Sequence, residues 1–278
     1  MVSWLRANGK IIFRGAALLL AGAAAGFGLG LFFAVPAGPG CRESDLTPVP
    51  DTGFASPAPE AAPASSLPQE EPVPEKWVCL TFDDGPSKTT PAVLDALNAA
   101  GVKATFFVVA TGYNEKYLPL IADAAAAGHQ IALHSASHEY SDIYQNFGII
   151  SSAKNIDNEI DAYWQDIELL KQRISPYVNT ASLHYLRFPG GSTNTVSRRY
   201  GGRGVMAELK QQCAEKGYAY VDWNVCAEDA VGGKPSAGTI YRNVVRETSE
   251  QTQCIVLMHD SATTRTTAEA LPDIIRWY

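Results

Sequence analysis

Basic charge, paired cysteines and internal repeats are all scarce in this 278-residue chain, and each scarcity removes a class of function. Lysine and arginine number 22 against 29 aspartates and glutamates, leaving a net charge of −7. The only charges in the first forty residues, Arg6, Lys10 and Arg14, are positive, so the remainder is more acidic than the total. A chain of that sign repels phosphates, which excludes nucleic acid as its partner. The five cysteines (Cys41, Cys79, Cys213, Cys226, Cys254) show no CxxC spacing and are too sparse for a disulfide scaffold. A zinc ribbon is excluded as well. Cys79 and Cys254 each precede a candidate motif on a candidate strand, so they are either bonded neighbours in an oxidising compartment or buried thiols. No internal repeat is visible, and no protein partner is implied.

What is present divides the chain into three. Residues 16–35 carry no charge and are mostly apolar; as a helix they would span about 30 Å, the thickness of a bilayer's hydrocarbon. The basic residues before them set the orientation, with residues 1–35 a cytoplasmic stub and anchor and everything later outside the membrane. The alternative is a signal peptide cleaved near Val35-Pro36-Ala37, although the apolar run is longer than an ordinary signal core. Residues 36–75 are rich in proline, alanine, serine and acids, a composition that buries too little apolar surface to fold and reads as a tether. With 46% hydrophobic residues overall, residues 76–278 can fill the core of one large domain.

In that domain short apolar runs alternate with helical patterns, the signature of βα units and a parallel sheet. Strands are expected at 77–82, 104–109, 130–134, 183–188, 219–223 and 254–258. Helices are expected near 90–100 (capped by Thr90 and closed by Gly101), 114–127, 205–216, 239–249 and 266–277. Ile156, Ile160, Tyr163, Ile167, Leu170 and Ile174 form one apolar face of a further long helix.

The first strand ends in Thr81-Phe82-Asp83-Asp84-Gly85-Pro86. Two adjacent carboxylates repel each other unless a cation lies beside them, although the same four residues Asp-Asp-Gly-Pro also make a good turn. His134-Ser135-Ala136-Ser137-His138 sets two imidazoles four residues apart, able to reach one ion from a helix or a curled loop. Arg187, Asp222 and His259 also stand at the C-terminal ends of expected strands, which a barrel gathers on one face. Two histidines and one carboxylate with open positions suit a hydrolytic zinc or similar divalent ion, and non-haem iron uses the same triad. His129, after Gly128, is expected to cap a helix or face solvent, and His184 to be structural. Asp260 either orients His259 or begins the next turn.

These stretches, with Arg187-Phe188-Pro189-Gly190-Gly191, Asp222-Trp223 through Asp229, and Leu257-Met258-His259-Asp260, resemble the five ordered motifs of the polysaccharide deacetylase family, carbohydrate esterase family four. The resemblance implies a distorted (β/α) barrel of about seven strands and metal-dependent removal of N-acetyl groups from a glycan. The tether together with the family points to the N-acetylglucosamine of peptidoglycan, with chitin oligomers, exopolysaccharide or acetyl xylan as alternatives and an inactive wall-binding module as a further one. By resemblance, Asp84, His134 and His138 hold the metal, zinc in the first place, with cobalt, nickel or manganese as alternatives. Asp83 is the general base and Arg187 holds it ionised. Gly190 offers a backbone N–H to the oxyanion, His259 is the general acid, and Leu257 walls the acetyl pocket. Asp229 is preferred to Asp222 as the group that tunes His259, and Trp223 is a core or groove aromatic. Three departures stand out: Ala230 follows Asp229 where a tryptophan is usual, Phe188 and Gly190 replace a proline and a tyrosine, and the closing strand usual after the last helix is expected to be missing beyond Tyr278.

Overall fold

A computed structural model describes residues 3–7, 10–14, 76–145, 162–249 and 251–278. The expected membrane segment at 16–35 and the linker at 36–75 lie outside the described residues, as do Ile156 and Ile160. Among the described residues no helix is long and apolar enough to cross a membrane. Near the start of the chain, β1 (Ser3–Ala7) and β2 (Lys10–Arg14) form an antiparallel pair.

The main sheet has seven strands: β3 (Trp77–Asp83), β4 (Thr105–Val109), β5 (Gln130–Ser135), β6 (Tyr185–Leu186), β7 (Ala219–Tyr220), β8 (Val225–Cys226) and β9 (Gln253–His259). Their order is β7-β6-β5-β4-β3-β9-β8, and every pairing is parallel. In β3 six of the seven residues are buried, the pattern of a parallel strand covered on both faces. The sheet is strongly curled, as two observations show. Arg187, just past β6, bonds Asp83 on β3, although β5 and β4 lie between them and flat strands at that separation would stand about 14 Å apart. In addition, β7 and β8 occupy opposite ends of the order yet are separated by only four residues. The five steps from Tyr220 to Val225 cover at most about 18 Å, well short of the roughly 29 Å width of seven flat strands. Residues 219–226 are therefore one short stretch, bent at Asn224, whose start pairs with β6 and whose end pairs with β9. The expected strand at 219–223 is split in this way, and β8 is too short to leave a hydrophobic pattern.

The helices follow the sequence closely. In chain order they are α1 (Thr90–Ala100), α2 (Leu120–Ala126), α3 (Tyr140–Ile143), α4 (Ala162–Ile174), α5 (Ser197–Gly201), α6 (Val205–Glu215), α7 (Ala237–Thr248) and α8 (Arg265–Trp277). Gly101 closes α1 at φ +69° as expected, but the N-cap position belongs to Thr89. The Thr90 hydroxyl instead accepts from the Ser87 N–H and donates to Asp260. The expected helix at 114–127 breaks into a 3-10 turn, Glu115–Tyr117, and α2, with Pro119 at the junction. On α4, Tyr163, Ile167, Leu170 and Ile174 are buried and pack toward β5.

The β3–β9 register aligns Val78 with Cys254 and Cys79 with Ile255. Aligned residues in a parallel ladder share a face and successive ones alternate, so the two cysteines project from opposite faces and both are free thiols.

Candidate active site

β3 and β9 bring the site together, because the same register sets Asp83 beside His259 and Thr81 beside Leu257. All four side chains share one face by alternation, and the Thr81 hydroxyl reaches Arg187 from it. Leu257, buried, therefore lies beneath His259 on the face that carries the site.

Arg187 is 0% exposed, and a buried guanidinium is tolerated only with its donors satisfied. Its Nη1 donates to Asp83 Oδ1 at 2.7 Å and to Thr81 Oγ1 at 2.9 Å. Nε donates to the Val221 carbonyl and Nη2 to that of Asp222, and the group stacks 4.1 Å from the Phe107 ring centroid. Trp223 lies 5.5 Å away on the same cation and also abuts Gly191. Asp83 is thus fixed through one oxygen, while the other faces His134 Nε2 at 3.8 Å.

Asp84, His134 and His138 offer ligand atoms that all lie within 4.8 Å of one another. The Asp84 Oδ1 atom stands 3.5 Å from His134 Nε2 and 3.4 Å from His138 Nε2, and it is buried without a hydrogen-bond partner. His134 Nδ1 lies 2.7 Å from the Arg187 carbonyl, which can only accept, so Nδ1 carries the proton and the neutral ring presents its Nε2 lone pair to the cluster. Asp84 and His138 adopt φ of +67° and +56°, left-handed conformations uncommon outside glycine and concentrated at functional sites. Gly85 must be glycine, since a Cβ there would sit 2.1 Å from the Asp260 carboxylate.

The electrostatics ask for a cation. Burial disfavours a charge on His134, yet Asp83 and Asp84 draw its pKa above the ordinary imidazole value. His138 lies below that value, through burial and the neighbouring His134. Burial pushes Asp84 up, but the approach of His134 and the charges of His138 and His259 outweigh it and hold it below the usual carboxylate range. A preformed pocket of two imidazoles and an orphaned carboxylate oxygen fits a divalent metal ion.

On the other flank, Asp229 and His259 form a pair: His259 Nδ1 lies 2.8 Å from Oδ1, and the His259 backbone N–H donates to Oδ2 at 2.7 Å. The Thr267 hydroxyl donates to the same Oδ2. Asp222 is turned elsewhere, accepting from the backbone and hydroxyl of Ser192. Asp229 is therefore the partner of His259, as preferred from the sequence. Burial alone would lower the His259 pKa, but the bond to Asp229 and its charge, with Asp83 and Asp84 behind, raise it to about 9. A raised pKa means the proton is held at neutral pH and lost as pH rises through about 9. In Asp229→Asn the His259 ring should titrate about one to three pH units lower by NMR; an unchanged titration would show that Asp229 does not set it.

Gly190 is exposed in the turn after Pro189, at φ +78°, and a Cβ there would meet the Tyr140 hydroxyl at 2.6 Å. Asp260 does not orient His259: its carboxylate is buried against Gly85, accepts from Thr90, and is pushed by burial to about 7. Contrary to expectation, His129 is 5% exposed, its Nδ1 accepts from the Ala104 N–H, and its ring meets Phe106 edge-on. Gly128 closes the turn after α2 at φ +85°, as expected, but the chain then runs inward to β5, which begins at Gln130. His184 is exposed and contributes its carbonyl to Ala219.

Three residues of the site escaped the motifs. Asp166 on α4 accepts from the Ser135 hydroxyl and the Ala136 N–H through one oxygen and from the Ser137 N–H through the other, curling the loop that carries both histidines. A lone acid three residues past Tyr163 on the apolar face of a helix was the signal. Tyr140, its ring 5.9 Å from that of His138, and Thr267 had none. Removing the anchor in Asp166→Ala should weaken metal binding about 10–100-fold, measured by competition with a chromophoric chelator; equal affinity would mean that the loop holds its shape unaided.

The polysaccharide deacetylase family model matches residues 70–203. The solved catalytic domain of a peptidoglycan N-acetylglucosamine deacetylase from Eubacterium rectale is 36% identical, with a TM-score of 0.62 over 72% of this chain and 82% of that one. A carbohydrate esterase family four esterase from Streptococcus mutans gives 27% and 0.59 over 73% of this chain and 82% of that one. Among curated relatives, a peptidoglycan-N-acetylglucosamine deacetylase of Bacillus cereus is 29% identical over 191 residues, 66% of this chain and 60% of its own length. One from Listeria monocytogenes is 32% identical over 213 residues, 74% of this chain and 38% of its own. The chain thus spans less than two thirds of both these curated relatives. With the curled parallel sheet and the gathered motifs, the likeness to the Eubacterium rectale domain establishes that this chain belongs to the polysaccharide deacetylase family.

Proposed function

We propose that this chain is a divalent-metal-dependent hydrolase that removes N-acetyl groups from a cell-wall or extracellular glycan, in the first place the N-acetylglucosamine of peptidoglycan. The observation that carries the reading is the order along one rim: the Asp83–Arg187 pair, then the Asp84, His134 and His138 cluster, then the His259–Asp229 pair. The names of the relatives in Eubacterium rectale and Bacillus cereus support the substrate.

Asp84, His134 and His138 would hold the metal, whose contribution is Lewis-acid polarisation of an acetyl carbonyl and acidification of water. Zinc suits two imidazole nitrogens and one carboxylate best, with cobalt, nickel or manganese able to replace it. Asp83 takes the proton of the attacking water. Arg187 keeps its carboxylate charged and aimed. The Gly190 N–H faces the developing oxyanion. His259 delivers a proton to the departing nitrogen, without which an amine is a poor leaving group. Leu257 packs against the acetyl methyl, and Trp223 stiffens the turn that carries Gly190.

The reading extends to location. Residues 16–35 anchor the chain in the cell membrane with residues 36–75 as a tether and the domain outside; cleavage near residue 35 would release it instead. Membrane fractionation of cells expressing the full chain separates the two.

The test of function is acetate release from N-acetylglucosamine oligomers and purified wall glycan. Activity should vanish with a chelator and return with zinc or cobalt. Preference for O-acetyl xylan would move the substrate to an ester, and no release with any divalent ion would leave a glycan-binding module.

A further inference from the structure

Two tyrosines lean on the turn that carries Gly190: Tyr140, which opens α3, and Tyr144, which follows its last residue. The buried Tyr144 donates its hydroxyl to the Pro189 carbonyl at 2.9 Å, and Asn194 closes the same turn by donating to the Gly191 carbonyl at 2.8 Å. The turn is thereby held against α3. The Tyr140 ring lies 5.8 Å from that of Tyr144 and stands edge-on to His138, with centroids 5.9 Å apart. Its hydroxyl comes within 2.6 Å of the point where a side chain at position 190 would begin. A Cβ lies about 2.5 Å from its own backbone nitrogen, so the Tyr140 oxygen and the Gly190 nitrogen are at most about 5 Å apart. Two donors at that separation can share one acceptor oxygen at about 2.9 Å from each. One half-buried side chain thus borders both a residue of the metal cluster and the backbone donor on the exposed rim.

We propose that the Tyr140 hydroxyl is a second donor to the acetyl oxygen, acting beside the Gly190 N–H as that oxygen turns from carbonyl to oxyanion. The inference rests on the deacetylase reading and deepens it. A phenol keeps its proton at neutral pH and has one O–H to give. Its bond to a charged oxygen is about twice as strong as its bond to a neutral carbonyl. The contact therefore favours the transition state over the bound substrate, which raises kcat and leaves KM in place. No atom is transferred, since the phenol O–H bond stays intact throughout.

Tyr140→Phe removes the hydroxyl and leaves the ring. In the full chain loaded with zinc it should lower kcat on an N-acetylglucosamine oligomer about 10²-fold, with KM, metal content and thermal unfolding as in the wild type. A kcat equal to the wild type's, or a fall that comes with lost metal, overturns the proposal: the first makes the hydroxyl idle, the second makes it a support for the histidine loop. A readout apart from turnover is calorimetry with a glucosamine whose nitrogen carries a methylphosphonyl group instead of acetyl, because its tetrahedral phosphorus places an anionic oxygen where the oxyanion forms. The zinc-loaded variant should bind it about 10²-fold more weakly than the wild type, and equal binding overturns the donor role. If the wild type releases no acetate, weaker binding by Tyr140→Phe still supports the donor while the deacetylase reading fails, and no binding by the wild type overturns both.

Discussion

Asp83→Asn is expected to lower turnover about 10²–10⁴-fold, the usual contribution of a general base, while the protein keeps its metal. The carboxylate holds Arg187 through one oxygen and directs the other at the cluster, 3.8 Å from His134 Nε2. Asparagine preserves an acceptor for Nη1 but has no basic oxygen left for a proton. Breaking a buried ion pair outright costs about 3–5 kcal/mol. Here Arg187 keeps Thr81 and two backbone carbonyls as partners, so the loss of stability should be smaller and the variant should fold. Thermal unfolding and metal content measured beside acetate release distinguish lost chemistry from lost structure. Turnover equal to the wild type's would remove Asp83 from the role of base.

His134→Ala should fail one step earlier, by losing the metal. Changes behind a ligand already cost 10–100-fold in affinity, so removing one of three ligands should cost more than about 100-fold. His134 also connects the two halves of the site, since its Nδ1 donates to the carbonyl of Arg187. Its loss therefore loosens the turn that positions the base. Metal analysis after dialysis should find the variant empty where Asp83→Asn remains loaded. If His134→Ala held zinc as tightly as the wild type, the ligand set would be wrong.

The two variants test assignments that are legible in the sequence. An apolar run that ends abruptly in polar groups marks the mouth of a parallel strand, and Asp83, His134, Arg187 and His259 all follow such runs. Strand and helix positions were equally plain, because burial on both faces leaves runs and burial on one face leaves a period. The limits of that pattern explain the misreadings. His129 follows a helix-closing glycine, a place that suggests exposure, but it directly precedes β5 and its ring is buried against Phe106. Thr90 has the pattern of a helix cap, but its hydroxyl is claimed by Asp260, just past β9 and 170 residues away.

Chain order and local pattern were therefore sufficient for the family, the parallel sheet and the roster of chemical groups, since each of these is written in residues close together along the chain. They could not choose between Asp222 and Asp229, which are chemically equal and seven residues apart. Nor could they reveal Asp166 as the anchor of the histidine loop, or separate Cys79 from Cys254. Those outcomes turn on which of several equivalent groups comes within about 3 Å of a partner, and that depends on strand register and on how tightly the sheet curls. The curl itself arises because residues 219–226 serve both edges of the sheet, a long-range arrangement that leaves no mark on any neighbouring residues.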